Sequence, residues 1–106
     1  MIFFGQPTNL HAVWDYGLME RTGLTVTAWT DLLNRSGLSE DGRGTAVQWA
    51  EESVRVASQH AYRLPTNHEL GQAYSDANLG VLEQQLFRGG VRLAALLNAI
   101  FERAGR

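Results

Sequence analysis

Within Thr8-Asn9-Leu10-His11-Ala12-Val13-Trp14-Asp15, two side chains of metal-ligating type stand four positions apart. On a helix, His11 and Asp15 share one face, one turn from each other. A neutral imidazole nitrogen and a carboxylate oxygen both suit zinc, and one helical turn lets both reach a single ion. Two donors fall short of the three or four groups that zinc sites use. The same spacing serves an ordinary hydrogen-bonded pair, or an arrangement in which Asp15 orients and charges His11 with no metal. Spacing alone favours the ordinary pair.

Other residues are weaker candidates. His60 falls at the end of a helical stretch, where a cation suits the helix dipole, and His68 falls in the first turn after a cap. Neither has suitable chemical neighbours in the sequence. Trp14, Trp29 and Trp49 could stack bases, but their helical spacing beside Val13, Leu32 and Val47 favours core. Arg88 and Arg92 sit one turn apart and could contact the phosphates of a nucleic acid. The competing expectation is a solvated face beside Glu83 and Asp76. Glu51 and Glu52 read as surface groups or as supports of a site. No P-loop, dinucleotide fingerprint or Ser/His/Asp set is present.

The chain that must position these groups has 106 residues, 44% of them hydrophobic and 19% charged. That is globular composition, enough for one domain spanning 1–106. The net charge is -2 and every basic residue is arginine, so a general basic surface for nucleic acid is excluded. With no cysteine, disulfides, thiolate metal sites and cysteine nucleophiles are excluded together. No stretch suits a membrane span, and the four apolar N-terminal residues make no signal peptide. As written, the product is expected in the cytoplasm.

Periodicity predicts an all-α fold of about four helices in an irregular bundle, preceded by a short strand at Ile2–Phe4. The first helix starts after a Thr8 or Asn9 cap and ends at Gly23. The second spans Val26 to Ser36. The third opens on a Thr45/Gln48 capping box and shows an apolar face of Val47, Ala50, Val54 and Ala57. A Thr66/Glu69 capping box opens the fourth, lined by Leu79, Leu82, Leu86, Leu93, Leu97 and Ile100. Gly89-Gly90 predicts a kink there, or a close approach by another backbone.

Three segments in order resemble the zinc-dependent single-strand nucleases of the S1/P1 type. Asn9-Leu10-His11-Ala12-Val13-Trp14-Asp15 is similar to their Asn-Leu-His-x-x-Trp-Asp segment. Trp49-Ala50-Glu51-Glu52-Ser53 resembles a Trp-Ala-x-Glu-Ser helix of bacterial members. Gln85-Leu86 with Gly90-Val91-Arg92-Leu93-Ala94-Ala95-Leu96-Leu97-Asn98 resembles their closing helix. The resemblance implies a mostly helical fold and cleavage of single-stranded RNA and DNA at a three-zinc cluster. It also implies that His11 and Asp15 are the last two ligands of one zinc. Complete members are usually secreted or periplasmic. Their remaining ligands lie upstream of the Asn-Leu-His segment, in a region this sequence does not contain, and His60 and His68 match none of them. The expectation is therefore a partial nuclease, inactive alone. The alternative is a non-catalytic helical binding protein, an inhibitor or regulatory subunit, reusing the same framework. Either way, apolar surface left bare predicts a homo-oligomer or a protein partner.

Overall fold

In a computed structural model, which describes residues 1–105, the chain is a set of four helices beside a very small sheet. Strands β1 (Ile2–Phe3) and β2 (Gln6–Pro7) form an antiparallel hairpin. β3 (Glu69–Leu70) adds to β1 in parallel, with Ile2 opposite Glu69 and Phe3 opposite Leu70. The all-α expectation holds, with the strand remnant where the apolar N-terminus placed it.

Helix α1 covers residues 10–22. Asn9 is its cap, accepting from the Ala12 N–H at 2.8 Å. The helix opens as α (Leu10–Ala12), widens into a π turn (Val13–Gly17) and returns to α (Leu18–Thr22). Gly23 ends it at φ 72°, a left-handed conformation that glycine adopts without a Cβ penalty. Helix α2 (Val26–Arg35) is capped by Thr25. Helix α3 covers residues 46–61. Its Thr45/Gln48 capping box is present in both directions, and it too ends in a π turn (Ala57–Ala61). Helix α4 (Gln72–Ala104) is 33 residues long, about 50 Å at 1.5 Å per residue.

The core lies where α1, α2, β3 and the first half of α4 meet. Val13, Leu18, Trp29, Leu70, Tyr74 and Leu82 are buried there, with Leu79 and Leu86 packed against them. Beyond Leu86 the same helix leaves the body. Extents of 56 × 29 × 23 Å and a radius of gyration of 16.0 Å compare with about 13 Å for a compact chain of this length.

Four expectations need correction. Thr66/Glu69 is no capping box: Glu69 is in β3, α4 starts after Gly71, and His68 takes a positive φ of 54° in the turn before the strand. Pairing with β1 outweighs the local cap signal. Gly89 and Gly90 do not interrupt α4, which runs through them, and they receive no close backbone, for a Cβ at either would meet nothing within 4 Å. The apolar face expected for α3 is largely turned outward, with Val47 66% and Val54 67% exposed. Finally, Arg88 and Arg92 do not form a solvated face beside Glu83 and Asp76. They turn toward α3 and the loop before it, where Glu52 and Glu40 receive them.

Candidate functional site

His11 and Asp15 lie side by side, with Nε2 2.8 Å from Oδ2 and side chains 84% and 59% exposed. Asn9 fixes where α1 starts and thus which way the pair faces. Both residues line an open groove of about 680 Å³. Leu10 and Trp14 join them from α1, Ser53, Val56, Ala57, Ala61 and Tyr62 come from α3 and its end, and Gln85 from α4. Both π turns border this groove: Trp14 and Asp15 belong to the first, Ala57 and Ala61 to the second. A π turn carries one residue more than an α turn, is rare, and is frequent at functional sites.

A buried tyrosine ties the two walls together. Trp14 Nε1–H donates to the Tyr74 hydroxyl at 2.9 Å, and that hydroxyl donates to the Ala61 carbonyl at 2.7 Å. One oxygen on α4 thus fixes both π turns. Burial pushes the Tyr74 phenol upward, while the Trp14 bond acts the other way. Replacing Tyr74 by phenylalanine leaves a half-buried N–H and a half-buried carbonyl without their partner, so a loss of about 1 kcal/mol is expected. Urea unfolding measures it, and an unchanged midpoint would mean that water satisfies both groups equally well.

The donor chemistry of the pair fits half of a zinc site. Imidazole nitrogen and carboxylate oxygen are of the right kind, adjacent and open to an ion. Among the described residues no group of three or more histidine, aspartate or glutamate side chains could hold a metal ion. His60 and His68 lie outside this groove. So do Arg88 and Arg92, whose guanidiniums are bound to carboxylates. Arg92 donates to both Glu52 oxygens at 3.0 and 2.9 Å and lies 3.4 Å from Glu40. Arg88 lies 3.4 Å from Glu52. Of the tryptophans, Trp29 is core. Trp49 donates to the Arg43 carbonyl and faces the Arg92 guanidinium, 5.5 Å from its ring centroid. Trp14 is half-buried and lines the groove. Neither Tyr74 nor the π turns carried a signal in the sequence. No helix among the described residues is long and apolar enough to cross a membrane.

Comparison with known proteins matches residues 1–102 to the S1/P1 Nuclease family. The chain is similar to Endonuclease 4 of Arabidopsis thaliana, 31% identical over 93% of this chain and 40% of that protein. It is 30% identical to Endonuclease 3 of the same plant over the same shares. Endonuclease 5 is 46% identical over half of the chain and 18% of its own length. This chain spans about 40% of the length of the first two of these relatives.

Proposed function

The chain belongs to the S1/P1 nuclease family, and from that premise we propose that it is part of a zinc-dependent nuclease acting on single-stranded nucleic acid. In this reading His11 and Asp15 supply two ligands of one zinc, and phosphodiester hydrolysis needs further ligands from outside these residues. The supporting observation is the His11–Asp15 pair itself. Its donors lie 2.8 Å apart on the rim of an open groove, within a segment of the family's pattern.

Asn9 sets the start of the ligand helix, and the Trp14–Tyr74–Ala61 connection fixes that helix against the far wall. His11 Nε2 and Asp15 Oδ2 face each other at 2.8 Å, so an ion held by both would have to displace the proton between them. A bound zinc would supply an activated water and neutralise charge on the phosphate. Protons compete with metal for such donors, so affinity falls with pH. Arg88 and Arg92 brace α4, and a phosphate contact by either would compete with Glu52 and Glu40.

Zinc titration followed by histidine ring NMR is the test. His11 signals are expected to shift before those of His60 and His68, and the response is expected to vanish in Asp15→Asn. A response led by His60 or His68 would remove the ligand assignment. The chain alone is expected to cleave neither single-stranded DNA nor RNA in excess zinc. Cleavage lost in His11→Ala would show that these residues suffice. A second reading, a non-catalytic binding protein on the same framework, is favoured by the uncovered apolar face of α4. Selective zinc binding at His11 argues against it.

A further inference from the structure

Asp15 stands on a turn whose two ends are sunk in the core. Val13 opens the first π turn at 1% exposed, and Leu18 follows it at 0%. The middle of the turn is held from a distance, for Trp14 Nε1–H donates to the Tyr74 hydroxyl across sixty positions of sequence. Tyr74 is itself well fixed. It is buried in the first turn of α4, and its carbonyl accepts from the buried Asn78 side chain at 2.9 Å. Just before that turn, β3 is paired with β1. The turn that carries Asp15 is thus referred to the start of α4 and to the sheet.

The size of a metal ion sets what the pair asks of this turn. Zinc lies about 2.0–2.2 Å from an imidazole nitrogen or a carboxylate oxygen, so two ligands at a tetrahedral angle stand about 3.4 Å apart. His11 Nε2 and Asp15 Oδ2 stand 2.8 Å apart, and a shift of about 0.6 Å admits an ion to both. A carboxylate about 1 Å further off misses the ion, since such bonds vary by only about 0.2 Å. The second donor adds affinity only while the turn keeps it concentrated beside the first. Trp14 and Asp15 are neighbours with Cα atoms about 3.8 Å apart, so play at Trp14 passes to Asp15.

We infer that Tyr74 is a positioning residue of the metal site: by holding Trp14, it keeps the Asp15 carboxylate where it can share an ion with His11. This rests on the zinc reading of the pair. Tyr74 does not line the groove, and it acts through Trp14 rather than on the ion.

The test follows zinc binding by the ring signals of His11. Tyr74→Phe is expected to raise the zinc dissociation constant there about tenfold. Zinc capped by a tetradentate amine leaves one position open and takes His11 alone, so it is expected to bind native chain and variant alike. Equal losses with both probes would mean that Tyr74 only supports the fold, and would overturn the inference. An unchanged constant for free zinc would do the same. Trp14→Phe removes the other end of the same hydrogen bond. It is expected to show the same loss, and the double variant no more than either alone. Losses that add would overturn the inference. Circular dichroism shows whether each variant folds, and should Tyr74→Phe fail to, Trp14→Phe decides with the same two probes.

A metal-free measurement separates this inference from the ligand assignment. The Leu18 N–H donates to the Val13 carbonyl across the π turn. With chelator present, its exchange with solvent is expected to quicken more in Tyr74→Phe than the exchange of the α2 amides. Equal quickening would mean a general loss of stability and would overturn the inference on its own. A native chain with no zinc response at His11 would remove the ligand assignment, and the exchange of Leu18 would then decide whether Tyr74 holds the turn.

Discussion

Replacing Leu18 with alanine is expected to cost about 3 kcal/mol of stability. Leu18 is 0% exposed and begins the α segment that follows the first π turn. It packs in the cluster of Val13, Trp29, Leu70, Tyr74 and Leu82, which joins three helices and β3. Truncation removes buried methyls from water-free surroundings and leaves a cavity as well. A domain of this size holds about 5–15 kcal/mol in all, so the midpoint in urea should fall by a large fraction. Val47→Ala is the control. Val47 is 66% exposed, and a change within about 0.5 kcal/mol is expected. Equal losses for the two variants would mean that the cluster around Leu18 is not the centre of the fold.

Arg92→Ala is the second large effect, about 3 kcal/mol. Arg92 and Glu40 are 13% and 11% exposed, and Glu52 is 21% exposed. Without the arginine, Glu52 keeps only Arg88 as a cation beside it and Glu40 keeps only the Gly42 N–H. The loss depends on pH. The Arg92 hydrogen bond, opposed in part by burial and aided by the charge of Arg88, holds the Glu52 carboxyl below its ordinary value. A depressed folded value means stability that is fully present above the unfolded carboxylate pKa. It is lost as pH falls through the folded one. The gap between native protein and Arg92→Ala should therefore be widest at neutral pH and should close below about pH 4. Glu52→Gln should show the same closing. A gap independent of pH would place the effect of Arg92 in its packing on Trp49 and not in its charge.

Helix starts were legible because capping is local: Asn9 and Thr45 satisfy backbone N–H groups within three residues of themselves. Thr66 offered the same signal and failed, since Ile2 and Phe3 compete for Glu69 and Leu70 from the far end of the chain. The glycine pair misled for a similar reason. Its cost to the helix is offset by Arg88 and Arg92 on either side, which hold α4 to α3 through Glu52. Of the candidate site, the spacing of His11 and Asp15 was readable, as was their shared face. The groove beside them was not, because its far wall comes from α3 and α4, far along the chain. Nor were the π turns, which leave the apolar period almost unchanged over so few residues. Tyr74 carried no local sign of its role, which depends on Trp14 and Ala61 arriving from two other helices.

The three tryptophans occupy three unlike settings, and fluorescence can tell these apart. Trp29 is sealed in the core. Trp14 gives its indole proton to a phenol, and Trp49 lies against a guanidinium. Proteins that keep only one of the three would each report a single joint: the central cluster, the groove wall or the brace of the long helix. If the molecule unfolds in one step, the three emission curves will superimpose. If the brace loosens first, the Trp49 curve will move to lower denaturant while the other two stay together, and the order in which the joints yield can be read directly from light.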